Sequence, residues 1–194
     1  MNPFINLINE NIDLPEALQA RIADVTQHIR FKKNVRLISS GAVCNELYFL
    51  KKGLARVFYY KDGKDVTAWF VAENQIVSAV DSLLSGTPTA YNIELLENSE
   101  IYSLPLRKIE SMYNEYPVVH RLSLTLISKS YLFLDERVKT FASCGAEERY
   151  QIMLVQLPDI FNRVKLGHIA SYIGITQEHL SRLRSNYKQQ KKKQ

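Results

Sequence analysis

Leu166-Gly167-His168-Ile169-Ala170-Ser171-Tyr172-Ile173-Gly174-Ile175-Thr176-Gln177-Glu178-His179-Leu180-Ser181-Arg182-Leu183 reads as two short helices joined by a tight turn. Ala170 is small where the helices cross, Gly174 opens the turn, and Ile175, Leu180 and Leu183 fill the shared core. Thr176 stands where a hydroxyl caps the second helix. Gln177, Glu178, Ser181, Arg182 and Ser185 then share that helix's outer face, because residues three and four apart point the same way. An arginine fork on such a face matches the two acceptors on the major-groove edge of guanine, and a carboxylate accepts from the cytosine amino group. The pattern predicts a helix-turn-helix that binds double-stranded DNA.

Charge points the same way once it is divided along the chain. Of the 25 Lys and Arg, eight (Arg163, Lys165, Arg182, Arg184, Lys188, Lys191, Lys192 and Lys193) fall in residues 163–194, against one acid, Glu178. The other 162 residues hold 17 basic and 19 acidic side chains, so the whole net charge of +5 comes from the C-terminal sixth, where a polyanion is met. The bland alternative for Lys188 to Gln194 is a solvated, frayed end.

Composition excludes several classes. With 46% hydrophobic and 23% charged residues the chain is globular rather than disordered. No apolar run approaches the roughly 18 residues of a membrane span, and Met1-Asn2-Pro3-Phe4 lacks the basic and apolar regions of a signal peptide. A cytoplasmic protein with no membrane partner is expected. Cys44 and Cys144 lie far apart without a CxxC or spaced histidines, so they read as reduced thiols and no metal site is expected. There is no GxxxxGK, HExxH or GxSxG, and the acid pairs Asp135-Glu136 and Glu147-Glu148 are sequence neighbours that point in different helix directions. No catalytic residue is assigned, and the chain is read as not an enzyme.

Upstream of the quoted stretch the apolar period changes twice. Leu18, Ile22, Val25 and Ile29 predict a helix over Leu14–Ile29, with Pro15 at its start. From Val35 to Leu104 the apolar runs are short and are cut at Ser40-Gly41, Lys52-Gly53, Asp62-Gly63, Ser85-Gly86 and Pro88. Asp62-Gly63 is the strongest hairpin signal, since both residues tolerate positive φ. About seventy residues of such strands predict a sandwich or small barrel. Helical period then returns, briefly at Ile109–Tyr113 and at length over Pro117–Phe141. There Leu124, Ile127, Tyr131, Leu134, Val138 and Phe141 repeat at three and four, a heptad seam beside a second stripe of Leu122, Leu126 and Phe133. One stripe packs on the β-rich part and the other serves a second copy of the chain; a helix buried on two sides within a monomer gives the same pattern. Ser143 is expected to cap a further helix, Ala146 to about Leu157.

This order of parts resembles the Crp/Fnr superfamily over nearly the whole chain. Glu148-Arg149-Tyr150, Pro158, Ile169 to Thr176 and Leu180-Ser181-Arg182-Leu183-Arg184 resemble its Bacteroidetes-type branch, and Leu47-Tyr48-Phe49-Leu50-Lys51-Lys52-Gly53-Leu54-Ala55-Arg56 resembles part of a cyclic-nucleotide-binding roll. The fold class this implies is α+β: an N-terminal double-stranded β-helix (jelly-roll) sensor domain over 1–116, a dimerisation helix over 117–142, and a helical helix-turn-helix domain over 143–194 that lacks a full β-wing.

The function implied is a bacterial, homodimeric transcription regulator, with RNA polymerase as a further partner and a recognition helix at about 176–188. Gln177, Glu178 and Arg182 match positions where the family commonly has Arg, Glu and Arg, so Gln177 departs from the pattern and shifts the expected half-site. Arg182 and Glu178 are the expected base readers; Ser171 and Thr176 are expected at phosphates, Ser181 lies on the reading face, and Arg184 and Lys188 add positioning charge. Glu178 has a second explanation, that a carboxylate favours a helix N-terminus.

The sensor departs from the nucleotide-binding pattern. Family members that take cyclic nucleotides use a Gly-Glu pair for the ribose and an Arg for the phosphate. The matching region, Ile76 to Ala90, has neither, and Thr89 stands near the place of the Arg. Ser78, Asp81 and Thr89 are the candidate effector-pocket residues. Without that Arg nothing offsets the burial of a phosphate, so cAMP is not expected. The clustered cysteines of iron–sulfur members are absent and nothing marks a histidine as a haem ligand, so the cofactor is left as unknown. A competing reading is a ligand- or protein-binding sensor module whose DNA-binding domain is degenerate.

Overall fold

A computed structural model describes residues 3–10 and 12–191. Two helices, α1 (Pro3–Asn9) and α2 (Glu16–Val25), lead into strands β1 (Gln27–Phe31), β2 (Arg36–Ile38), β3 (Glu46–Lys52), β4 (Ala55–Lys61), β5 (Lys64–Val71) and β6 (Gln75–Val77). A short helix, α3 (Val80–Ser85), separates these from β7 (Asn92–Leu95) and β8 (Ser99–Pro105). The strands form two antiparallel four-stranded sheets in the orders β1-β8-β3-β6 and β2-β7-β4-β5, a jelly roll.

The hairpin expected at Asp62-Gly63 joins β4 to β5: both residues have positive φ, 51° and 73°, and Lys61 pairs with Lys64 across the turn. Gly53 bends the chain between β3 and β4 at a φ of 109°, and a Cβ there would lie 2.2 Å from Ser99 Oγ. The predicted first helix ends early. Thr26 is already extended, and Ile29 lies on β1, where Gln27–Phe31 pairs with β8 in the register His28 to Tyr102 and Ile29 to Ile101. Pairing with a strand some seventy residues away overrides the local helical spacing. The inward residues of the sheets, among them Leu50, Ala55, Val57, Ile93, Leu95 and Ile101, make one core. A second core gathers Phe4, Ile5 and Ile8 of α1 with Leu18, Ile22 and Phe49.

After α4 (Leu106–Glu110) comes α5 (Val118–Ser143), with Val119 and Leu122 buried in that second core. Its heptad seam is in the open: Leu124, Tyr131 and Val138 are 65%, 67% and 66% exposed, and Ile127, Leu134 and Phe141 are exposed as well. Ser143 does not cap the next helix. It is the last residue of α5, its hydroxyl donates to the Lys139 carbonyl at 2.8 Å, and Glu148 instead accepts the Gly145 N–H at 2.7 Å to begin α6 (Ala146–Gln156). Three helices complete the described chain: α7 (Ile160–Arg163), α8 (Leu166–Ile173) and α9 (Gln177–Lys191). Their core is shared with the roll, since Tyr150, Met153, Ile169, Ile173 and Leu180 cluster with Leu54, Phe70 and Leu96. Among the described residues no helix is long and apolar enough to cross a membrane.

Candidate nucleic-acid interface

Helices α8 and α9 are joined as the sequence predicts. Gly174 is left-handed at a φ of 73°, and the Ile175 N–H returns to the Ala170 carbonyl at 3.0 Å, closing α8. Ala170, Ile173 and Leu180 are buried between the helices and Leu183 is half-buried. Thr176 begins α9: its Oγ1 accepts the His179 N–H at 3.2 Å. The Glu178 carboxyl, at the same helix start, is held below the usual carboxylate range by its own backbone N–H and by the Thr176 hydroxyl. Gln177, Glu178, Ser181, Arg182 and Ser185 are all exposed along one side of α9. The side chain of Lys188 lies outside the described residues. Arg184 is half-buried, with its guanidinium stacked 4.4 Å over the Phe161 ring, so part of its charge is directed at the helical core.

Two groups expected to face a polyanion are turned to the roll. Ser171 Oγ accepts the Thr67 N–H of β5 at 2.9 Å and lies 3.5 Å from the Asp65 carbonyl, so the expected phosphate contact is occupied by a strand. Arg163 forks between two acids of the roll, with Glu73 Oε1 at 2.7 Å and Glu97 Oε1 at 2.8 Å. Burial pushes Glu73 up, yet hydrogen bonds from Arg163 and the Gly53 N–H hold it below its ordinary value.

The same seam contains a buried arginine that sequence reasoning passed over. Arg56, on β4 and 1% exposed, donates to Thr67 Oγ1 at 2.9 Å, Glu94 Oε1 at 2.9 Å and Asp65 Oδ2 at 2.6 Å, and stacks on Phe58. His168 Nε2 of α8 lies 3.0 Å from its Nη1 and His168 Nδ1 is buried without a hydrogen-bond partner. Burial, and then the Arg56 charge, push the His168 pKa below its ordinary value. An arginine inside Leu54-Ala55-Arg56-Val57-Phe58, an apolar strand, is itself a signal that carboxylates must converge on it, although which ones the sequence does not say. Phe70 of β5 and Tyr172 of α8 also meet, with ring centroids 5.2 Å apart and planes tilted by 51°.

The three sensor candidates separate. Thr89 is 2% exposed; its hydroxyl donates to Asp81, with both carboxylate oxygens at 2.9 Å, and accepts the Tyr91 N–H at 3.0 Å. It lies outside the lining of the cleft that Ser78 and Asp81 border. Ser78 donates to the Glu46 carbonyl at 2.8 Å and lies 3.2 Å from Cys44 Sγ, so its hydroxyl belongs to the wall. Ser78 and Asp81 both border this cleft of about 950 Å3 between the roll and α5, which α1 also lines. Among the described residues no group of three His, Cys, Asp or Glu side chains could hold a metal ion.

Residues 28–116 match the cyclic nucleotide-binding domain family in sequence. Among solved structures, FixK2 from Bradyrhizobium japonicum superposes with a TM-score of 0.74 at 16% identity, covering 86% of each chain. A putative transcriptional regulator of the crp/fnr family from Eubacterium rectale has a TM-score of 0.74 at 16% identity over 96% of this chain and 88% of its own. The catabolite activator protein of Thermus thermophilus has a TM-score of 0.56 at 16% identity over 95% and 87%. No curated protein matches the chain in sequence. Residues 28–116 are thus similar to the cyclic nucleotide-binding domain family, and the chain shares the fold of these solved regulators.

Proposed function

We propose that this chain is a homodimeric, sequence-specific DNA-binding transcription regulator, with RNA polymerase as a further partner, in which α9 reads the major groove. The observation that carries this is the exposed row Gln177, Glu178, Ser181 and Arg182 on a helix whose opposite side, at Leu180, is fully buried. Arg182 takes a guanine and Glu178 a cytosine; Thr176, Arg184 and Lys188 contribute at the backbone. The open seam of α5 supports pairing with a second copy, which sets two α9 helices about one helical turn of DNA apart. The working division is a sensor over 1–116, a dimerisation helix over 117–142 and a DNA-binding part over 143–194.

Selection from a random duplex library tests this. A two-fold-symmetric site is expected, bound more weakly as salt rises. Arg182→Ala is expected to lower affinity for that site by about tenfold or more and to relax one base position. Enrichment of no sequence, together with unchanged binding by Arg182→Ala, overturns the assignment.

A second reading, a sensor module whose C-terminal helices only dock, draws on Ser171, Arg163 and His168, all engaged by the roll. It predicts that random and selected duplexes bind alike, and equally poorly.

A further inference from the structure

Two guanidiniums meet behind the turn of the C-terminal helix pair. Arg137 of α5 donates to the Tyr172 carbonyl, and Arg149 of α6 donates to the carbonyls of Ile173 and Cys144 at 2.9 and 2.7 Å. The Arg137 guanidinium lies 3.8 Å over the Tyr172 ring and 4.4 Å over that of Phe141, and Arg149 lies 5.0 Å over the same Phe141. A Cβ on Gly174 would come within 3.0 Å of Phe141 and 4.0 Å of Arg149 Nη2, so both side chains pack directly against the turn.

This pair lacks what two other inward arginines have. Arg56 and Arg163 each collect two carboxylates, Asp65 with Glu94 and Glu73 with Glu97. Among the described residues, Arg137 and Arg149 are in ion-pair contact with none; their partners are carbonyls and rings. Helix C-termini attract arginine, which explains why the two side chains turn inward. The charge is still not balanced, because the ends of α5 and α8 each offer roughly half a negative charge against two whole positive ones. Burial lowers the Arg137 pKa, and the like charge of Arg149 adds to that shift. An arginine stays protonated regardless, so the excess of positive charge persists.

Both arginines line a cavity of about 30 Å3 that also meets Thr140, Gln156 and Glu136. Thr140 is 8% exposed, and its hydroxyl has no hydrogen-bond partner among the described residues. Elsewhere on α5, Thr125, Ser130 and Ser143 each return the hydroxyl to the carbonyl four residues back. A donor that is nine-tenths buried and unused calls for an acceptor. Each guanidinium has five N–H donors, of which Arg137 uses one and Arg149 two on acceptors among the described residues. Glu136 is exposed and reaches neither guanidinium, so it lowers the local charge without cancelling it. A cavity needs about 10–15 Å3 to hold one water. This one therefore admits one or two water-sized species and is too small for a phosphate or a carboxylic acid.

We propose that the cavity binds a monatomic anion, chloride or another halide, held by Arg137, Arg149 and the Thr140 hydroxyl where α5, α6 and α8 join. Water fills such a space but offsets no charge, whereas an anion makes charge-assisted hydrogen bonds with all three side chains. Bound there, it ties the end of α5 to the start of α6 behind Gly174. The site does not depend on whether α9 reads DNA.

The test exchanges sodium gluconate, whose organic anion is larger than the cavity, for sodium chloride at constant ionic strength and follows the Tm of the full chain. A saturable rise of about 3–5 °C is expected at ten times the half-saturating chloride concentration. The NMR line of chloride, which broadens when the ion exchanges onto a slowly tumbling protein, is expected to show the same saturation. Thr140→Val removes the hydroxyl at nearly constant volume and is expected to raise the half-saturating concentration by about tenfold. Glu136→Gln removes the opposing charge and is expected to lower it severalfold. Equal Tm values in the two salts overturn the proposal, and so does a chloride linewidth that Thr140→Val leaves unchanged; the cavity then holds water alone. Chloride dependence that appears only in Glu136→Gln overturns it as well, since that carboxylate then serves the two arginines in the native chain.

Discussion

His168 Nε2, on the first helix of the C-terminal pair, lies 3.0 Å from Nη1 of Arg56, a buried side chain of the sensor roll. The guanidinium is always charged, so this contact requires a neutral imidazole that accepts. Docking of α8 on the roll is therefore tied to the protonation of one histidine. Asp65 and Glu94 draw a proton toward it, burial, Arg56 and Lys165 oppose one, and the balance favours the neutral ring.

Acidification is expected to loosen this docking. An unfolded histidine titrates near about 6.5, and the folded His168 titrates lower. Between the two values the unfolded chain binds more protons than the folded one, so stability rises with pH across that window and is complete above it. Lowering the pH from about 7.5 to about 5.5 is expected to lower the Tm of the native protein. His168→Gln, whose amide oxygen still accepts from Arg56, is expected to flatten that slope. An equal slope in both proteins refutes the link.

Arg163 is expected to act as a clamp between roll and C-terminal helices. Arg163→Ala leaves Glu73 and Glu97 without their shared cation and is expected to cost about 1–2 kcal/mol, a reduced figure because both carboxylates keep part of their surface in water. Lysine cannot fork between two acids, so Arg163→Lys is expected to restore only part of the loss. Chemical denaturation measures the cost, and faster proteolysis around residues 143–146 reports the released helices.

Ser171→Ala separates a docking role from a phosphate contact. The Thr67 N–H loses its acceptor, at an expected cost of about 1 kcal/mol. The dependence of DNA affinity on salt is expected to stay as in the native chain. A shallower salt slope without lost stability would return Ser171 to the phosphate backbone.

Charge placed on the open seam of α5 is expected to produce monomers. Tyr131→Glu with Val138→Glu substitutes two of its most exposed residues, and touches no buried contact of the monomer. Ultracentrifugation is expected to show a single-chain mass with an unchanged helical spectrum. Affinity for a two-fold site is expected to fall by about a hundredfold, because each α9 then binds unaided. A dimer that survives both charges places the interface elsewhere.

What local chemistry specifies was legible from the residues alone. Asp62-Gly63 demands a tight hairpin, Gly174 a left-handed turn, Thr176 a cap, and the three-and-four spacing from Leu124 to Phe141 a helix with an apolar seam; each appears in the structure where the residues call for it. These signals act over a handful of residues, which is why periodicity and turn chemistry can be read along a chain. Tertiary structure decided what depends on partners far away in sequence. Ile29 left its helical spacing to pair with Ile101, Ser171 turned to Thr67, and Arg163 chose Glu73 and Glu97. Thr89 was buried against Asp81, which itself borders the cleft. In each case a polar or extended group that loses water must find a complement, and only the closing of the roll against α5 and α8 settles which one is within reach.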